Sequence, residues 1–196
     1  MGRSMSGNIR LYNTNGYVEL QAPSSASAQV LELPTDSIKP ALVHLHTETF
    51  SSVSSVSVDD VFSENYNHCL ITVTGSGTSD TFMNMRLRSG STDNTATNYD
   101  YQRNSSYDST YSAASAANQT SWQVHRVRST GSAALINIYN ANLSESTFLI
   151  STSGHSGQFT DTRAIHDIST AFDGFTFFPT TGTISGTIRI YGYRNN

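Results

Sequence analysis

His44 and His46 stand two apart in the alternating stretch Val43-His44-Leu45-His46. On an extended strand, side chains at i and i+2 leave the same face, and imidazole is the commonest side-chain metal ligand. Copies meeting at a symmetry axis would multiply those ligands. The plainer alternative is a polar strand face beside Leu45. A second constellation is aromatic: Tyr99, Tyr101, Tyr107 and Tyr111, with Trp122 just after, interleaved with Asn98, Asp100, Asn104 and Asp108. Aromatic faces cover the apolar side of a sugar ring while hydroxyls, amides and carboxylates bond its rim. The same residue types are favoured at protein interfaces. These five aromatics are therefore candidates for ligand or subunit contact. His68, His125, His155 and His166 are scattered and read as surface or hydrogen-bonded core residues.

Catalytic signatures are missing from the sequence. It contains no Gly-x-x-x-x-Gly-Lys phosphate loop, Gly-x-Ser-x-Gly elbow, His-Glu-x-x-His helix or Cys-x-x-Cys pair. Asp59 and Asp60 are adjacent, so on a strand they point to opposite faces and cannot cooperate as acid and base. The lone Cys69 has no partner for an intrachain disulfide and lies in the apolar run Cys69-Leu70-Ile71, where a free thiol behaves as a small buried hydrophobe. No catalytic residue, cofactor or firm metal site is assigned, and the expectation is a protein that is not an enzyme.

The elements that would carry these residues are strands. Met83, Met85 and Leu87 alternate with Asn84, Arg86 and Arg88, and Ile184, Ile188 and Ile190 oppose Thr187, Arg189, Tyr191 and Tyr193. Strands with one buried face give this period. Turn signals at Gly75-Ser76-Gly77, Ser89-Gly90, Thr130-Gly131-Ser132 and Thr181-Gly182 separate them. Composition agrees. Among 196 residues there are 31 Ser and 24 Thr, while charged residues make up only 13%, too few to coat the outer faces of helices. The pattern predicts an all-β fold, a β-sandwich, jelly roll or barrel, with a jelly-roll-like β-sandwich the leading expectation for the body. A net charge of −4 argues against a nucleic-acid binder. No run reaches the length of a membrane span, and the opening residues lack the apolar stretch of a signal peptide. The expectation is a soluble protein made in a reducing compartment, with no membrane insertion.

Two regions depart from this body. Residues 1–40 read as a short module: Ile9-Arg10-Leu11-Tyr12, a turn through Asn15-Gly16, then Tyr17-Val18-Glu19-Leu20, a small-residue spacer and the run Val30-Leu31-Glu32-Leu33 before Pro34 and Pro40. Such a module cannot bury enough surface to stand alone. Tyr17, Val18, Leu20, Leu31 and Leu33 are its candidate docking and oligomer-interface residues, and residues 41–196 form the sandwich body. The second region, 89–121, is nearly devoid of aliphatic residues and reads as a long loop, functional or ordered by neighbours. Tyr99 and Tyr101 would share a face if part of it is strand.

Three blocks in order resemble the virion surface proteins of tailed bacteriophages, small fibre-like proteins of marine phages in particular. The first is Gly16-Tyr17-Val18-Glu19-Leu20-Gln21-Ala22-Pro23, followed by Leu31-Glu32-Leu33-Pro34. The second runs from Phe50-Ser51-Ser52-Val53 through Val61-Phe62 and Tyr66 to Met83-Asn84-Met85-Arg86-Leu87-Arg88. The third is Gly182-Thr183-Ile184-Ser185-Gly186-Thr187-Ile188-Arg189-Ile190-Tyr191-Gly192-Tyr193. The resemblance implies a non-enzymatic virion component made in the host cytoplasm, homotrimeric, with a β-sandwich tip. It would serve as a tail-fibre or head-fibre knob or a capsid decoration. Implied partners are further copies of itself, other capsid or tail proteins, and a host glycan or receptor. The rival reading, from the tyrosine-rich segment, is a carbohydrate-binding module or lectin outside any particle.

Overall fold

The computed structural model describes residues 9–13, 16–20 and 41–195, and every regular element among them is a strand. The chain divides into two units, residues 1–39 and 40–196. In the first, β1 (Ile9–Asn13) pairs antiparallel with β2 (Gly16–Leu20), from Ile9 opposite Leu20 to Asn13 opposite Gly16. This is the hairpin that Asn-Gly predicts. Tyr17, Val18 and Leu20 lie on β2, whereas Leu31, Leu33, the spacer and the third apolar run fall outside the described residues.

The second unit is an all-β, jelly-roll-like sandwich of two antiparallel sheets. In chain order its strands are β3 (Leu42–Val53), β4 (Val56–Val58), β5 (His68–Gly77), β6 (Thr81–Ser89), β7 (Thr92–Asp93), β8 (Tyr99–Tyr107), β9 (Thr110–Gln119), β10 (Trp122–Val127), β11 (Ser132–Tyr139), β12 (Thr147–His155), β13 (Gln158–His166), β14 (Gly174–Pro179) and β15 (Ile184–Tyr193). The large sheet has eight strands in the order β3-β15-β5-β11-β12-β13-β8-β9. The small sheet runs β10-β6-β14-β4, with β7 on the end of β6.

The core lies between the sheets, where the period-2 pattern delivers its apolar side chains. Ile71, Ile136, Leu149, Ile188 and Ile190 come from the large sheet, and Met83, Met85, Leu87, Trp122, Phe175 and Phe177 from the small one, all buried. Towards β12, β13 and β8 the inner face changes chemistry. Ser105, Thr147, Ser151, Ser153, Thr160 and Thr162 are buried there. A buried hydroxyl must find a partner, and several do. Val124 is the extra residue of a bulge between Gln123 and His125, and Ser151 Oγ donates to its carbonyl at 2.6 Å. Ser105 and Thr160 bond one another at 3.2 Å. Near one end of β5 and β15, Gly75 faces Gly186 across the pair. A Cβ on Gly186 would lie 2.8 Å from the Gly75 Cα, so this close approach needs glycine.

Two expectations need correction. Residues 89–121 are β7 and the β8–β9 hairpin rather than a loop. The apolar–polar alternation test misses β8 because its inner row (Tyr99, Tyr101, Arg103, Ser105) is itself largely polar, and because β9 is an edge strand exposed almost throughout. Nor do His44 and His46 share a face. A bulge at Leu45 pairs His44 with Tyr191 and His46 with Ile190. Tyr191 points outward and Ile190 into the core, so the two imidazoles diverge.

Candidate functional site

Strand register fixes what the outer face of the large sheet presents. Leu42, Tyr193, His68, Tyr139, Phe148, Ile165 and Asp100 form one row across β3, β15, β5, β11, β12, β13 and β8. The next row carries His44, Tyr191, Leu70, Asn137, Ile150, Arg163 and Gln102. Within the first row, His68 is sandwiched between Tyr139 and Tyr193, with ring centroids at 4.3 and 4.2 Å and interplanar angles of 19° and 13°. His68 Nε2 bonds Asn137 Oδ1 at 2.9 Å. Phe148 lies directly opposite Tyr139 but makes no ring pair among the described residues, and its side chain is 47% exposed.

Beside that free ring the face is hollowed. Phe148 and Ile165 flank a groove of about 590 Å³ whose polar groups come from Asp100, Gln102, Ser115 and Arg163. A bulge in the β8–β9 ladder shapes its edge: pairing shifts between Tyr99 and Tyr101, Asn118 adopts a positive φ of 55°, and the Asn118 N–H donates to Asp100 Oδ1 at 2.7 Å. The hollow continues along β8 and β9 into a second depression of about 270 Å³, which shares Gln102 and Ser115 and adds Asn104 and Ala113. Gln102, Ser115 and Arg163 have no side-chain hydrogen bond to another described residue.

The sequence-derived aromatic set does not converge on this groove. Trp122 is fully buried, its Nε1–H donating to the Ile165 carbonyl at 3.0 Å. Tyr99 is also fully buried. Its hydroxyl accepts from the Leu87 N–H at 3.0 Å and donates to the Asn94 carbonyl at 2.9 Å, and burial pushes its ionisation upward. Both are core residues, not ligand contacts. Tyr101 packs partly against the core and borders the groove. Tyr107 and Tyr111 are exposed near the β8–β9 turn, Tyr111 at 68%; the Tyr107 ring lies 5.6 Å beneath the Arg128 guanidinium. Phe148, Gln102 and Arg163 were missed by the sequence reading. The signal that would find them is register: β12 and β13 form one hairpin, and pairing with the sequence-distant β8 brings two adjacent outer rows together.

The remaining titratable clusters are structural. Arg88, little exposed, donates to Asp59 at 2.6 Å, to Asp93 at 2.5 Å and to Thr176 Oγ1 at 3.0 Å. Its hydrogen bond holds the Asp59 carboxyl below the usual range. Asp80 is held low in the same way by Arg126 and Arg128. Burial raises the Cys69 thiol to about 12, which keeps it protonated and unreactive. His125 is pushed down to about 3 by burial, with Nε2 on Ser132 Oγ at 3.0 Å. His166 is fully buried, lowered to about 4, and neither ring nitrogen has a partner. Tyr99, Trp122 and Phe172 surround it edge-to-face at 4.5, 6.3 and 5.0 Å. Among the described residues, no three His, Cys, Asp or Glu side chains are grouped to hold a metal ion. His44 instead bonds Thr47 at 2.8 Å, and His46 bonds Glu48 at 3.3 Å.

No family model and no curated protein matches the chain. Among solved structures it is similar to a human SPRY domain, at 10% identity and a TM-score of 0.35, over 78% of this chain and 96% of that one. It is also similar to the β-fructofuranosidase of Schwanniomyces occidentalis solved with fructosyl-erythritol, at 8% identity and a TM-score of 0.22, over 97% of this chain and 39% of that one. Likenesses this weak carry no argument about function.

Proposed function

We propose that the chain is a non-enzymatic building block of a tailed-bacteriophage virion surface. In this reading it is a homotrimeric fibre knob or capsid decoration element, attached through its first forty residues and presenting the sandwich outward. The observation that carries the reading is the division at Lys39 and Pro40. The second unit has a core of its own between two sheets, while the described part of the first is a two-stranded hairpin. An isolated hairpin is marginal in water, and symmetric association is the common way to bury such an element. The order of the three sequence blocks supports a virion setting. The buried titratable groups support a structural one: Cys69, His125 and His166 are each held in the neutral form and sit in the core.

Native mass spectrometry of the full chain and of a chain lacking residues 1–36 tests this. The full chain is expected to be trimeric, and the shortened one monomeric with an unchanged far-ultraviolet spectrum. A monomeric full chain refutes the assembly role, and an unfolded shortened chain refutes the boundary.

A further inference from the structure

We propose that the groove beside Phe148 binds a neutral oligosaccharide. A pyranose has an apolar face of C–H groups and a rim of hydroxyls, so its site needs a flat apolar platform flanked by groups that both donate and accept. Phe148 supplies the platform: it is half exposed, and no ring among the described residues stacks on it. Ile165 extends the apolar floor on the neighbouring strand, directly opposite Phe148. The rim is equally suited. Gln102 donates and accepts through its amide, Ser115 through its hydroxyl, Arg163 donates, and Asp100 accepts. Asp100 already takes the Asn118 N–H on one oxygen, which fixes the carboxylate and leaves its other lone pairs for a ligand.

Charge and shape narrow the ligand. Arg163 and Asp100 offset one another, and Asp161 lies in the next row of the same face, opposite Asn104. No excess of positive charge awaits a carboxylate, sulfate or phosphate, so the site favours an uncharged sugar. The volume of about 590 Å³ falls within the range of small-molecule sites. The depression sharing Gln102 and Ser115 continues it towards Asn104 and Ala113. From Asp100 to Asn104 is roughly 13 Å at the usual rise of a strand. That track suits a short chain of sugars lying along β8 better than one enclosed ring. This site rests on the groove's own geometry and does not depend on how the chain assembles.

Saturation-transfer NMR of the full chain tests it, against neutral tetrasaccharides of glucose, mannose, galactose and N-acetylglucosamine, with a polygalacturonic tetramer as the acidic comparison. At least one neutral tetrasaccharide is expected to receive saturation. Phe148→Ala should weaken that binding by about tenfold or more, equivalent to roughly 1.4 kcal/mol, whereas Phe148→Trp should retain it. Gln102→Ala should weaken it less, and Tyr111→Ala, outside the groove, should leave it unchanged. Phe148 is half exposed, so these chains should fold, which circular dichroism checks. Binding to none of the neutral sugars, preference for the acidic tetramer, or binding indifferent to Phe148→Ala each overturns the site. A trimer that binds nothing refutes the groove alone, and a monomer that binds refutes the assembly alone.

Discussion

Replacing His166 by Phe should remove about half of the body's loss of stability in mild acid. His125 and His166 stay neutral in the fold, with pKa values near 3 and near 4, because burial penalises the charged ring; the Asp167 carboxylate raises His166 only in part. In the unfolded chain both titrate near the ordinary value of about 6.5. Between that value and the folded ones the unfolded state binds more protons, so stability falls as the pH falls. At pH 5 the linkage costs about 2 kcal/mol for each ring, against almost nothing at pH 7.5. Neither His166 nitrogen has a hydrogen-bond partner, and its neighbours Tyr99, Trp122 and Phe172 meet it edge-to-face, an arrangement that a phenyl ring can reproduce. The variant should therefore be at least as stable as the parent at pH 7.5. On moving to pH 5 it should lose about 2 kcal/mol where the parent loses about 4. Urea unfolding followed through Trp122, the single tryptophan, reads both numbers at constant slope. The exposed histidines are common to both chains and cancel. An equal loss in parent and variant would show that His166 is not held neutral by burial, and the reasoning would fail.

Trp122→Ala should cost about 3–5 kcal/mol because it empties a fully buried site between the sheets, while Tyr111→Ala should stay within about 0.5 kcal/mol; paired thermal melts separate the core role of the first from the surface role of the second. Arg88→Met should destabilise by about 2–3 kcal/mol, since Asp59, Asp93 and Thr176 lose a shared donor that is itself little exposed. The same change should flatten the acid limb. The lowered Asp59 pKa contributes stability above the ordinary carboxylate value that is lost as the pH falls through the folded one, and unfolding curves from pH 5 to pH 2 check it.

Strand identity was legible wherever one face is aliphatic and the other is not. Met83, Met85 and Leu87 are buried as their spacing requires, and so are Ile184, Ile188 and Ile190. Legibility fails where the buried face is built from hydroxyls. β13 places Thr160 and Thr162 inward against exposed Phe159 and Asp161, which reverses the usual code. It fails again at bulges, since one extra residue at Leu45 turns His44 and His46 to opposite faces. The groove was illegible for a different reason. Phe148, Arg163 and Gln102 are unremarkable in their own segments and meet only through the order β12-β13-β8, which no local pattern encodes.

The bulge in the β8–β9 ladder gives the groove a physical cause. β9 is a ten-residue edge strand without a charged residue or proline, the kind of edge that invites pairing with another chain. The opposite edge, β3, is guarded by His44, His46, Glu48 and its own bulge. On the β9 side the guard comes from β8: Asp100 captures the Asn118 N–H, holds Asn118 in its left-handed conformation and shifts the ladder between Tyr99 and Tyr101. A shifted ladder twists the edge away from a flat partner. It also lies at the rim of the hollow bounded by Ser115 and Ala117 on one side and Phe148 on the other. Edge protection and groove formation are thus two effects of one carboxylate, and a change at Asp100 should not alter one without the other.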